Sequence, residues 1–262
     1  MASKLAPIWQ RQVKGNNMPV GTEKTALLGA AAGGFTWDLL DSGCSSTSDG
    51  GTWALSGGGA GGGCTQVTYD GQSTFKMDSG GSAADGAYGQ AYITLANSDL
   101  SSATVWPDPF TMQCRIYIYA FGQFGSGANT DQFDIILYGQ NTLMNLRFTT
   151  AYPGSGPGGS YGTRWIDTGG ANVAIGSLTD NWSGAWHTVG VYAEGLQDSA
   201  PMVTADVYID GVVKNTGLTR AGGETSDAAF AVNQKGYDTT SRITYIDWVR
   251  IGTGDGRSVI TA

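Results

Sequence analysis

A chain of 262 residues has room for one large β-sandwich or two small domains. Gly supplies 42 of them, more than twice the ordinary ~7%, while 40% are hydrophobic and only 14% charged. Disordered chains have the opposite make-up, few apolar residues and dense charge, so global disorder is excluded. The glycines follow no three-residue period, which excludes a collagen helix. No apolar run approaches the ~18 residues of a membrane-spanning helix.

Fourteen Lys and Arg stand against 22 Asp and Glu, a net charge of −8. Such a surface repels nucleic-acid phosphate and anionic lipid, so neither is expected as a partner of the main body. Acidic polysaccharides are disfavoured on the same ground unless a local basic patch overrides the mean. The acidic set contains only Glu23, Glu194 and Glu224 as glutamates, and His187 is the lone histidine. Cys44, Cys64 and Cys114 make an odd count, which is no disulfide scaffold. Cys44 and Cys64 bracket a Gly/Ser-rich stretch that a bond between them would close, whereas Cys114 reads as a small core hydrophobe. No Cys/His spacing suits zinc.

The first 24 residues differ from the rest. Lys4, Arg11, Lys14 and Lys24 against Glu23 leave this segment at +3, so the remaining chain carries −11 to reach the total of −8. Leu5, Ile8 and Trp9 are isolated apolar anchors in a stretch without helix or strand period. The apolar core at residues 26–32 is too short and too late for a secretory leader, and a cytoplasmic start is expected. Residues 23–32 have the make-up of a short helix, with Thr22 as N-cap and Gly33-Gly34 as its stop. The expected division is a basic arm over 1–34 and one sandwich over 35–262.

From Phe35 the pattern is β. In the run 110–121, Ile116 and Ile118 alternate with Tyr117 and Tyr119, a period of two. Further strands are predicted at 35–40, 51–56, 64–69, 73–77, 88–95, 132–138, 142–150, 164–167, 171–176, 185–194, 202–210, 212–217, 228–233 and 242–251. Many short strands between Gly/Asp/Asn/Ser clusters, with no long helical pattern, indicate an all-β sandwich. Asp210-Gly211 is a two-residue hairpin turn. The Gly-rich stretches 57–63 and 154–162 read as loops.

Three runs in the second half resemble a known family: Trp186-His187-Thr188-Val189, then Tyr208-Ile209-Asp210-Gly211, then Ile246-Asp247-Trp248-Val249-Arg250-Ile251. Their order and spacing are similar to the concanavalin A-like lectin/glucanase superfamily of the laminin-G-like type. The resemblance covers residues 105–252 well and 35–104 only by strand texture. It implies an antiparallel two-sheet jelly roll with one concave sheet that often carries glycan-binding aromatics. It also implies that Asp247, matching an acid of the closing strand, can help hold a structural calcium, with Asp38 or Asp41 nearby. No other cofactor is expected.

The fold admits several functions, so the site must decide. A glucanase needs carboxylates about 5–5.5 Å apart for retention or about 6.5–9.5 Å for inversion. No Glu-x-Asp-x-Glu run exists, Asp131 and Asp134 fall on opposite strand faces, and Asp206 and Asp210 stand about 13 Å apart along a strand. A sandwich-type polysaccharide lyase needs a Tyr or His base beside cations. The Arg-rich and Gln-x-His strand motifs of such enzymes are missing, and His187 shares its face with Val189 and Val191 as a structural histidine would. An assembly of Arg147, a Tyr and Arg164 remains open. No Gly-x-Ser-x-Gly elbow offers a serine nucleophile.

Aromatic residues are the remaining resource, since a sugar presents an apolar face to a ring while polar side chains bond its hydroxyls. Trp106, Trp165 and Trp182, with Tyr152 and Tyr161 in Gly-rich loops, are the glycan-binding candidates. Trp53, Trp186 and Trp248 fit strand alternation and are assigned to the core. The expectation is a non-enzymatic phage virion protein, a capsid decoration or fibre-like component. Lys4, Leu5, Ile8, Trp9, Arg11 and Lys14 would dock onto a capsid or other virion protein, with copies gathered on an assembly while the lectin-like body faces outward. A separate carbohydrate-binding lectin module and a sandwich-type lyase are the alternatives.

Overall fold

Period-two alternation with β-branched and aromatic residues yields half-buried strands, and a computed structural model shows fifteen of them. It describes residues 35, 37, 40–44, 53–59, 61–80, 89–95, 108–120, 132–138, 142–149, 162–166, 172–175, 184–195, 202–221, 229–236 and 242–262. In chain order the strands are β1 (Leu40–Ser42), β2 (Trp53–Gly59), β3 (Gly63–Tyr69), β4 (Gln72–Asp78), β5 (Gly89–Leu95), β6 (Phe110–Ala120), β7 (Gln132–Tyr138), β8 (Thr142–Thr149), β9 (Gly162–Ile166), β10 (Asn172–Ile175), β11 (Trp186–Glu194), β12 (Met202–Ile209), β13 (Val212–Ala221), β14 (Ala229–Gly236) and β15 (Ile243–Thr253). For β1, β5 and β9, and for most of β8 and β10, the backbone and its register alone are described. A 3₁₀ turn at Arg257–Val259 follows β15.

The strands form two antiparallel sheets in a jelly-roll sandwich. The larger has eight strands in the order β13-β12-β11-β6-β15-β4-β3, with β1 added on β15. The smaller has seven, in the order β10-β9-β8-β7-β14-β5-β2. The chain passes repeatedly from one sheet to the other, so each hydrophobic face is buried against the opposite sheet. The all-β fold expected from the sequence is therefore present, and the 1–34 arm lies outside the described residues.

Alternate residues of the central strands fill the space between the sheets. Met112, Cys114 and Ile116 of β6, Val189 and Val191 of β11, and Phe133, Ile135, Phe148, Phe230 and Val232 of the smaller sheet share one buried cluster. Trp53 packs edge-on against Phe75 at 5.2 Å and Phe230 at 6.3 Å, which fulfils its core assignment.

Two readings need correction. Residues 57–59 and 63 are strand, not loop. A Cβ on Gly57 would stand 1.8 Å from the Gly62 carbonyl oxygen, so this Gly-rich stretch lets two backbones approach where side chains cannot fit. Among the described residues the first strand is Leu40–Ser42, and Phe35 and Trp37, predicted as strand, are not; they pack edge to face at 4.9 Å. None of Cys44, Cys64 and Cys114 is in a disulfide.

Candidate functional site

The outer face of the larger sheet is covered by the chain's own segments. Arg115, Tyr117 and Tyr119 of β6 point away from the buried Cys114, Ile116 and Ile118. Tyr117 lies between Trp186 and Tyr245 in register. The β3–β4 hairpin crosses this row: Tyr69 stacks on Tyr245 at 3.8 Å and 7°, and Trp186 Nε1 donates to Asp70 Oδ2 at 3.0 Å. Hydrogen bonding with Tyr117, then burial, pushes the Tyr69 hydroxyl above its usual value.

The C-terminal segment covers the other half. Thr111 Oγ1 donates to the Gly254 carbonyl and accepts from Gly256 N–H, while Gln113 Nε2 donates to the Thr261 carbonyl. Arg257 lies 4.3 Å over the Tyr192 ring and bonds Asp206 and Asp255. Trp186 and Trp248 are thus outer-face residues rather than core ones. The core side at that end of β11 goes to His187, and Trp248 follows an irregularity of β15 between Ile246 and Trp248 and lies beneath Arg250 at 4.7 Å.

The sequence-nominated acids have structural work. Asp206 accepts from Gly217 N–H at 3.0 Å and from Arg257 at 3.2 Å, so it is a buried, hydrogen-bonded strand residue. Asp210 has φ of 53° followed by Gly211 at 71°, the expected turn chemistry, and it takes His187 Nδ1 at 2.8 Å and Thr188 N–H at 3.0 Å. His187 thereby has a structural partner. Asp247, 2% exposed, accepts from Arg115 Nη1 at 3.0 Å. Among the described residues no three His, Cys, Asp or Glu side chains converge as a metal site would require. Asp41 is paired in register with Arg250, and Asp38 and Asp131 lie outside the described residues.

The smaller sheet presents a different surface. Opposite its core face, one row of cross-strand neighbours runs Arg164, Arg147, Asp134, Asn233, Tyr92 and Ser56, over β9, β8, β7, β14, β5 and β2. The alternation fixes this placement, because Leu146 and Phe148 flank Arg147, and Phe133 and Ile135 flank Asp134, in the core. The next row toward Gly162 brings Thr149, Gln132, Lys235 and Gln90 together. At the centre Asp134 and Asn233 are buried, at 2% and 6% exposure, and among the described residues Asn233 Oδ1 accepts no hydrogen bond.

Of the aromatic candidates, Trp165 falls on β9, in register with core Leu146 and with Val173. Trp106, Tyr152, Tyr161 and Trp182 lie outside the described residues, as do Lys4, Leu5, Ile8, Trp9, Arg11 and Lys14. The Tyr69/Tyr117/Tyr245/Trp186 cluster was not foreseen; the alternation of Tyr117 with Ile116 and Ile118 was its visible signal.

No protein-family model and no curated protein matches the chain. Solved structures do resemble it. The binding domain of botulinum neurotoxin serotype G is 12% identical with a TM-score of 0.46, over 85% of this chain and 49% of that one. The chain thus spans about half the length of that structure. An endo-β-1,4-glucuronan lyase from the fungus Trichoderma reesei is 14% identical with a TM-score of 0.46, over 74% and 87% of the two chains. Peanut lectin is 11% identical with a TM-score of 0.49, over 82% and 96%.

Proposed function

We propose that this protein is a non-catalytic glycan-binding module whose ligand lies along the exterior face of the smaller sheet. The observation that carries the reading is the continuous row from Arg164 to Tyr92. It puts forked donors, an acid, an amide and an aromatic residue at successive strand positions, ~4.8 Å apart. Sugars are held by such mixed donors and acceptors beside a ring. Absence of catalysis is supported by the bonds that already engage Asp70, Asp206, Asp210, Asp247 and Asp255.

The test is a glycan array with the full chain, repeated with Asn233→Ala and Tyr92→Ala. Binding weakened by both substitutions, without release of shortened sugars, is the expected result. No binding to any glycan overturns the reading. Formation of unsaturated uronate products, followed by ultraviolet absorbance, would replace it with the lyase alternative. Attachment to a virion or similar assembly through residues 1–24 is a companion proposal, supported by the +3 arm against the −11 body. Deleting those residues should leave a folded sandwich that no longer joins particles; normal incorporation would defeat it.

A further inference from the structure

The C-terminal segment is held by the larger sheet as a separate peptide would be. Gly256 fixes the bend: its N–H donates to Thr111 Oγ1, and the Phe35 ring packs so closely that an added Cβ would meet Cζ at 2.7 Å. Beyond it residues 257–262 belong to no strand and cross the outer face over β6, β11 and β12. Asp206, buried on β12, accepts from Arg257 Nη1 at 3.2 Å, and the same guanidinium lies 4.3 Å over the Tyr192 ring. Gly190 of β11 leaves the space that buried Ile260 fills, since a Cβ there would stand 2.6 Å from Ile260 Cγ2. Gln113 Nε2 donates to the Thr261 carbonyl, and a Cβ on Gly211 would stand 3.0 Å from Ala262 N. Ser258, Thr261 and Ala262 are exposed, so Arg257 and Ile260 are the side chains that the groove reads. A charged hydrogen bond, an aliphatic socket and a backbone donor are the elements of peptide recognition rather than of a sheet ladder.

We infer that this groove accepts the same segment, Arg257–Ala262, from a second copy of the chain, so that two copies exchange it across the outer faces of their larger sheets. Every contact made within one copy is reproduced between two, so exchange costs little beyond association itself. A copy's own segment competes at the high effective concentration its tether gives, and exchange is therefore favoured where copies are crowded. Six residues reach about 20 Å at most, which brings the two outer faces against each other. The inference is independent of the glycan reading, which concerns the other sheet.

Two full-length variants divide the interaction. Gly190→Ala keeps the segment and closes the socket, whereas Arg257→Ala/Ile260→Ala keeps the groove and spoils the segment. Circular dichroism checks that each is folded; Asp206→Asn, which keeps an acceptor for Gly217 N–H, serves as the groove-defective chain where Gly190→Ala is not. In analytical ultracentrifugation at high protein concentration, each variant alone should sediment as a single copy and their mixture should form pairs. A labelled peptide of residues 256–262, followed by fluorescence anisotropy, should bind the Arg257→Ala/Ile260→Ala chain at least about tenfold more tightly than the parent, whose groove is filled. A mixture that stays single-copy overturns the inference, whether or not the peptide binds. Pairing of the Arg257→Ala/Ile260→Ala chain with itself as readily as with its complement would put the interface elsewhere and overturn it as well.

Discussion

Trp186 and Asp70 are 116 residues apart in sequence and joined by a 3.0 Å hydrogen bond that ties the β3–β4 hairpin across the larger sheet. The Asp70-Gly71 turn, with φ of 51° and 75°, aims the hairpin tip, and Tyr69 stacks on Tyr245. Because the bond is exposed, Trp186→Phe should cost only about 0.5–1 kcal/mol. Tyr69→Ala should cost more, since a stacked pair adds about 0.5–1.5 kcal/mol to its burial. Urea unfolding of both variants checks the order; a Trp186→Phe loss exceeding that of Tyr69→Ala would show that the rings do not hold the hairpin.

Gly190 lies on the face of β11 where the C-terminal segment returns. An added Cβ would meet Ile260 Cγ2 at 2.6 Å. Gly190→Ala should therefore displace the last residues and cost about 1–3 kcal/mol, the usual penalty for overpacking. Shortening the obstacle with Ile260→Ala in the same chain should recover part of that loss. Failure of the double variant to recover any stability in thermal unfolding would place the strain elsewhere.

Much of this architecture was legible because the forces that build strands are local. The stretches 132–138 and 186–194 are rich in strand-forming residues and fold as strands where the sequence places them. The Asp210-Gly211 turn declared itself by residue type. What escaped was everything decided by a distant partner. Trp186 reads as core from its strand alone, and the hairpin 116 residues upstream gives it an exterior partner. Gly57 reads as loop because the tight approach of Gly62 is invisible in composition. Arg147 and Arg164 were named, but their direct opposition is a property of register, which two polar strand positions cannot announce.

Asp255 ties the stability of the C-terminal segment to pH. Hydrogen bonds from Arg257 hold its carboxyl below the usual carboxylate value. A carboxylate whose folded value is depressed stabilises the fold above its unfolded value, near pH ~3.9, and loses that contribution as pH falls through the folded value. Asp255→Asn should thus melt below the parent at neutral pH, by a small margin because the pair is exposed. The two melting curves should converge in acid. A gap that stays constant from neutral pH into strong acid would rule out the linkage.

Cys114 and Cys64 should differ sharply in reactivity. Cys114 is fully buried in β6, and burial pushes its thiol well above the usual value, so almost no thiolate forms at neutral pH. Cys64 is only partly buried. Native protein treated with a thiol-specific alkylating reagent should label Cys64 first and Cys114 only after denaturant is added, as peptide mass analysis would show. Rapid native labelling at Cys114 would mean that the two sheets open locally far more readily than their packing allows.

The Asp210–His187 contact separates a turn effect from a side-chain effect. Asp210 occupies a left-handed conformation that Asp and Asn tolerate and Ala does not, and its carboxylate also accepts from Thr188 N–H and His187 Nδ1. Asp210→Asn retains the turn and an acceptor oxygen, so its loss should be small. Asp210→Gly retains the turn alone and isolates the two hydrogen bonds, at about 1–2 kcal/mol. Asp210→Ala removes both and should be the least stable, by about a further 1 kcal/mol of backbone strain. If equilibrium unfolding placed the Gly variant below the Ala variant, the left-handed turn would not be what fixes the β12–β13 register.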